Sequence, residues 1–297
     1  VNITNFLEGK YNVIAGKLGY VTNQKTIIID LNTKEIVIGL VPGYYDDFAF
    51  DYNWTVQSSA TKGAWEWGEP EGTYMFGYPA NPDLDLDNDF GPFCYMTGNG
   101  GGEYYEFDVD DGNTILTSPV MDLSTWTDPT LDYSWWLLNF DANSTSPGND
   151  YFDVEVSDDG TNWVNIFNNT GAWKNEWNEE KGVKLSTFFT SYSSTMYVRL
   201  VTADDLPGNI VEAAVDGFYM YDAATVGLEE SIAQTGVQVY SRNHTLRLFL
   251  SEKTEQSKIT VFDLQGKKHF ESEIPSTNQI DLAIPSMLSG QYSLVID

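Results

Sequence analysis

The stretch YFDVEVSDDGTNWVNI, Tyr151–Ile166, decides the fold. Its first seven residues alternate apolar and polar, and MYVRLVT, Met196–Thr202, does the same. A period of two sends successive side chains to opposite faces of a strand. Between the halves of the first stretch sits Asp158-Asp159-Gly160, whose glycine supplies the φ > 0 position of a tight turn. Trp163 then returns an indole over the sheet. No long stretch of the chain carries the i, i+3, i+4 apolar spacing of a helix, so the class is all-β.

Outward from this hairpin, charge divides the 297 residues into three modules. Between Val41 and Ala224, 32 Asp and Glu face 5 Lys and Arg, and all nine Trp, Trp54 to Trp177, lie in the same span. The flanks, 1–40 and 225–297, are nearly neutral. So many carboxylates repel one another unless a hard cation neutralises them, and Ca²⁺ takes six to eight oxygen ligands. The same acidity argues against nucleic acid, whose phosphates it repels. No run of 18 apolar residues exists to span a membrane as a helix. Cys94 is the only cysteine, so no internal disulfide forms. The first residues carry neither a basic nor an apolar leader pattern and begin inside an expected strand, as in a piece of a longer precursor.

Residues 1–40 read as strands over Gly9–Ala15, Lys25–Asp30 and Ile36–Leu40. The spelling GKYNVIAGKLGY from Gly9 resembles the end of a carboxypeptidase regulatory-like, transthyretin-type β-sandwich. After the connector Pro42-Gly43-Tyr44, residues 41–224 run through YYDDFAFDYNWTV, GAWEWGEP, FCYMTGNGGG, DVDDGNTILTSPVMDLS, PTLDYSWWL and AAVDGFYMYDA. In order and spacing this string resembles the MAM-like, concanavalin-like jelly rolls of secreted bacterial proteases and adhesins. It departs from their pattern at Ala49, at Asp111-Gly112-Asn113 and at Gly217. Residues 225–236 read as a linker. The motifs KITVFDLQGKKHF and NQIDLAIPSMLSGQYSLVI of 237–297 resemble the C-terminal sorting domain of the type IX secretion system. The resemblances together imply a central jelly roll between a partial transthyretin-like sandwich and a small Ig-like sandwich.

Candidate sites follow from residue chemistry. Both histidines, His244 and His269, lie outside the acidic module, so no zinc site of the HExxH kind can be built there. Neither a GxSxG nor a phosphate-loop motif occurs, and CYMT around Cys94 fits a buried strand. Ca²⁺ has two candidate groups. In the first, Asp46 and Asp47 open the first strand, Asp108, Asp110 and Asp111 crowd one turn, and Asp216 sits in the closing strand. First and last strands of a jelly roll are neighbours, so Asp47 and Asp216 can converge on one ion. In the second, PDLDLDNDFG spaces Asp83, Asp85, Asp87 and Asp89 two apart, like an EF-hand loop without its glycine or its closing Glu. Trp135 and Trp136 are adjacent, so only one can enter the core of a two-sheet sandwich, whereas Trp65 and Trp67 share a face. Trp173 and Trp177, in the polar stretch GAWKNEWNEEKG, are the candidates for an exposed sugar-stacking platform.

These readings describe the non-catalytic C-terminal region of an exported cell-surface protein of a Gram-negative bacterium. The resemblances imply a parent related to zinc carboxypeptidases, with the peptidase domain upstream of Val1. Its partners would be the type IX secretion machinery and an extracellular protein or glycan. The alternatives are a carbohydrate-binding module and a jelly-roll glycosidase using paired carboxylates.

Overall fold

A computed structural model describes residues 7–33, 35–87, 89–141, 150–171, 174–205, 208–226, 237–242, 245–250, 257–263, 267–274, 279–283 and 292–296. The chain is all-β, and packing divides it into two units, Val1–Asp222 and Ala223–Asp297. The first unit opens with β1 (Gly9–Ala15) paired antiparallel with β2 (Asn23–Ile29). The expected third strand at Ile36–Leu40 is irregular backbone. It enters no sheet ladder, and Val41 instead accepts a hydrogen bond from Val21 N at 2.8 Å.

The larger body follows as β3 (Tyr44–Asp46), β4 (Thr55–Ser58), β5 (Trp65–Gly68), β6 (Thr73–Met75), β7 (Tyr78–Pro79), β8 (Cys94–Thr97) and β9 (Gly102–Glu103). Then come β10 (Gly112–Thr117), β11 (Pro129–Phe140), β12 (Tyr151–Ser157), β13 (Val164–Asn169), β14 (Lys174–Lys184), β15 (Tyr197–Asp204) and β16 (Ile210–Asp222). One sheet runs β13-β12-β15-β10-β4, the other β14-β11-β16-β8-β5 with β3 on the end of β16, and β7-β6-β9 make a small third sheet. The deciding hairpin is β12 and β13, and Gly160 at its turn has φ 72°.

The core lies between the two large sheets. Leu137, Phe152, Leu200, Val211 and Val215 belong to one buried cluster. Phe152, with no exposed surface, stacks on Trp135 at 5.8 Å between ring centres and meets Trp65 and Phe167 edge-on. Aromatic pairs of this geometry add to the burial of their area. Trp65 is buried, whereas Trp67, two residues on, is 40% exposed against Phe93.

The second unit holds a one-turn helix, α1 (Ala223–Val226), then β17 (Val237–Arg242), β18 (Thr245–Leu250), β19 (Ser257–Asp263), β20 (Lys268–Ile274), β21 (Gln279–Ala283) and β22 (Tyr292–Ile296). They form two three-stranded sheets, β17-β18-β21 and β20-β19-β22. Among the described residues no helix is long and apolar enough to cross a membrane.

Two measurements check this organisation. Because the division falls after Asp222, a chain ending at Ala224 should keep the melting transition of the larger body; loss of cooperative unfolding would mean a shared core. Phe152→Ala should cost about 3–5 kcal/mol in urea unfolding, the range for deleting a buried aromatic ring.

Candidate functional site

Strands β11 and β16 lie side by side, and both of their faces are buried. Their odd-numbered residues Trp135, Leu137, Val211, Ala213 and Val215 enter the sandwich core. Their even-numbered residues turn the other way. Trp136 and Ala214 pack with Cys94 and Met96, and Leu138 and Phe140 pack with Met75 and Ala80. The segment from Thr73 to Phe90 covers this second face. Both adjacent tryptophans are therefore buried, Trp135 at 3% and Trp136 at 5% exposure. The expectation that only one could be core held for two layers, and the cover makes a third.

Side-chain hydrogen bonds fasten the cover. Trp136 Nε1 donates to Ala80 O at 2.6 Å, Asn81 Nδ2 to Thr97 O at 2.6 Å, and Thr73 Oγ1 to Glu212. Trp177 Nε1 donates to Leu84 O at 3.2 Å, and its ring stands edge-on to Trp136 at 6.0 Å. Trp177 thus lies in β14, not in a polar loop, and braces the cover. Trp173 lies outside the described residues.

The carboxylates are distributed differently from the sequence groups. One oxygen each of Asp85, Asp89 and Asp216 lies within 4.8 Å of the others. Asp216 has no exposed surface. It accepts from Gly217 N at 2.6 Å and from Leu86 N at 3.4 Å, so sheet and cover meet at this carboxylate. Gly217 has φ 57°, and the β11–β16 register shifts between Asp132 and Ser134. The bulge reverses the parity of β16, returning Phe218 and Met220 to the core. Glycine departs from the jelly-roll pattern here at a position whose backbone favours it. Both carboxylate oxygens of Asp85 and Oδ2 of Asp89 are buried without a hydrogen-bond partner. Burial, then the neighbouring carboxylates, pushes Asp216 well above the usual range, and burial with the charge of Asp85 pushes Asp89 up to about 7.

Asp47, 1% exposed, borders this group. It accepts from Ala49 N at 3.3 Å and Phe90 N at 3.1 Å, and its charge raises Asp85 and Asp89. The other candidates are satisfied elsewhere. Asp46 accepts from Trp54 Nε1 at 2.7 Å and Phe48 N at 2.9 Å, and burial raises it to about 7. Asp108 and Asp110 share the ammonium of Lys62, at 3.4 and 2.7 Å, so their cation is a lysine. Asp111 is exposed in a turn at φ 50°, and Asp87 is exposed, outside the triad. The two expected groups thus resolve into one, with Asp216 from the first and Asp85 and Asp89 from the second.

Glu212 escaped the sequence reading. It has no exposed surface, Oε1 has no partner, and burial pushes its carboxyl up to about 8. The signal was present as a single acid inside VEAAV, an otherwise apolar run.

No family model matches the chain, and no curated protein matches it. Among solved structures, the K1 cleaved adhesin domain of Lys-gingipain from Porphyromonas gingivalis W83 is similar at 14% identity, over 60% of this chain and 97% of that one, with a TM-score of 0.37. A xylan-binding domain of CBM 22 is similar at 15% identity, over 62% and 96%, with a TM-score of 0.32. The glycoside hydrolase domain of Endo-D from Streptococcus pneumoniae R6 is similar at 10% identity, over 82% and 37%, with a TM-score of 0.35. At these scores no ligand or activity is carried over to this chain.

Glu212 yields a pH prediction. A carboxyl raised from 4.5 to about 8 is held more tightly by its proton in the native state. Its stabilisation is complete below the unfolded value and is lost as pH rises through the folded one. Glu212→Gln stays neutral throughout, so its melting temperature should gain on the wild type from about pH 5 and level off above about pH 8. A difference constant across that range would show that Glu212 does not titrate there.

Proposed function

We propose that this chain is a non-catalytic binding and sorting region of an exported cell-surface protein, with a central sandwich completed by calcium. The observation that carries the reading is the triad of Asp85, Asp89 and Asp216, whose buried oxygens include three without a hydrogen-bond partner. All donors are hard carboxylate oxygens, the chemistry of a Ca²⁺ site. When bound, the ion supplies the positive charge that lets these carboxylates remain ionised together. Asp85 and Asp89 belong to the cover and Asp216 to the sheet, so the three would tie one layer to the other. Asp47 holds the backbone of Phe90 and with it the end of the cover.

The sandwich then acts as a rigid body that presents surface residues to an extracellular protein or glycan. Residues 237–297 serve export through the type IX secretion machinery, a reading supported by their sorting-domain motifs. The reading is non-catalytic: the acidic module has no histidine, and the raised carboxyls of Glu212 and Asp216 are enclosed.

Millimolar Ca²⁺ should raise the melting temperature and chelator should lower it. An ion present at a hundredfold excess over its dissociation constant adds about 2.7 kcal/mol to the native state. Asp216→Asn should abolish the response. A melting curve that neither Ca²⁺ nor chelator moves would end the calcium reading.

A further inference from the structure

The same cover carries a feature that the calcium reading does not use. β6 and β7 are joined by a two-residue turn, Phe76-Gly77, with Met75 opposite Tyr78. Both turn residues have positive φ, 52° and 85°, the hairpin turn that ordinarily takes Asn-Gly. A bulky side chain is an outlier in that region. Among the described residues, four other than glycine have positive φ: Phe48, Asn53, Phe76 and Asp111. Asn53 and Asp111 are types that tolerate it. Phe48 is 1% exposed, and core contacts with Trp54 and Tyr95 offset its conformation. Phe76 is 73% exposed, so burial does not repay it. Backbone strain of this kind clusters at functional sites, and among the described residues the Phe76 ring meets only the rings of Tyr104 and, edge-on at 6.3 Å, Phe140.

Phe76 does not stand alone. Its ring lies 6.0 Å from that of Tyr104, which meets Tyr105 edge-on at 5.2 Å, and Tyr105 is 53% exposed. Carboxylates lie on the same stretches of chain, and that of Glu106 accepts from Glu103 N at 3.2 Å. Glu103 and Glu106 flank Tyr104 and Tyr105 in sequence, and Glu71 lies against Gly101. All three are exposed, and no ion pair among the described residues involves them. The nearby cation, Lys62, donates to Tyr105 O but is already held by Asp108 and Asp110.

We propose that the Phe76 hairpin tip, with Tyr104, Tyr105, Glu71, Glu103 and Glu106, docks an arginine- and lysine-rich polypeptide segment. Guanidinium and ammonium groups are attracted to aromatic faces and to carboxylates alike. The 32-to-5 excess of acidic residues in 41–224 draws such a segment in over a longer range. The proposal gives the binding role a partner class and rests on that role, not on calcium.

The test uses the full chain with fluorescein-labelled oligoarginine and oligolysine peptides, read by anisotropy at physiological ionic strength. Phe76→Asn leaves the charge unchanged and places a favoured residue in the turn, so its melting temperature should equal or exceed the wild type. It should bind oligoarginine about tenfold more weakly, the scale of a partly desolvated cation–π contact. Glu103→Gln with Glu106→Gln should also bind more weakly and show a shallower salt dependence. Wild-type affinity in Phe76→Asn would overturn the proposal, because charge alone would then account for binding. So would selective binding of neutral oligosaccharides over the peptides, lost in Phe76→Asn. Both variants should keep any Ca²⁺ shift in melting, so failure of the calcium reading and failure of this one are separately visible.

Discussion

Strands β11 and β16 are buried on both sides, and much of the rest of the larger body answers to that constraint. A sheet in an ordinary two-layer sandwich hides one face and wets the other. Here the outward set, Trp136, Leu138, Ala214 and Asp216, is as inaccessible as the inward one. A single stretch of chain, Thr73 to Phe90, supplies the missing layer. That stretch has only two short strands, so most of its backbone groups need partners from outside regular structure. Side chains of the sheet and of Asp47, just past β3, provide them: the indoles of Trp136 and Trp177 and the carboxylates of Asp47 and Asp216. A tryptophan suits such a junction because its ring buries area while its N–H reaches a carbonyl.

Part of the negative surplus is handled by the chain's own donors. Turn amides of Asn162 and Thr161 hold the Asp159 carboxyl well below the usual range. The indole of Trp54 and the Phe48 amide take Asp46, and Lys62 takes Asp108 and Asp110. Asp150 accepts from the Asn209 side chain and the Asp205 amide, and Asp204 from the Asn209 amide. Against this background the triad is unusual, for its members lean on one another and several of their oxygens are enclosed without a donor. Enclosed ionised carboxylates without a counter-charge are costly enough that they neutralise instead. The alternatives are protons or a metal ion.

The all-β class was legible because period two is a property of the strand itself: Tyr151–Ser157 and Tyr197–Asp204 each show it and pair with one another. Gly160 was legible because its turn demands φ > 0. The cover was not legible. Its aspartates alternate at period two without forming a strand, and nothing in PDLDLDNDFG says that it folds over a sheet built largely from residues far downstream. For the same reason the carboxylates were sorted by sequence neighbourhood, although Asp85 and Asp216 lie 131 positions apart in the numbering. Trp177 was read as exposed because its neighbours are polar. The register of β14 against β11 places it beside Trp136, a contact that composition cannot report. Ile36–Leu40 has strand-like residues and no strand partner, which shows that a β pattern is realised only where an edge is available to pair.

The cover is anchored at two points whose chemistry responds to pH in opposite ways. Near its start, Thr73 Oγ1 is bonded to Glu212, whose carboxyl keeps its proton up to about pH 8. Ionising that enclosed group strengthens the bond from Thr73 but leaves a buried charge without a counter-ion, so the native state is most stable on the acid side. Near its end, Asp85 and Asp89 meet Asp216, and a cation bound there requires the protons to leave. On the calcium reading this second anchor is strongest on the alkaline side. On that reading the native state is most stable in an intermediate window, bounded above by the burial cost of an ionised Glu212 and below by protonation of the triad. Neither anchor depends on apolar area alone, which suits a segment whose buried apolar side chains, such as Met75 and Ala80, are few.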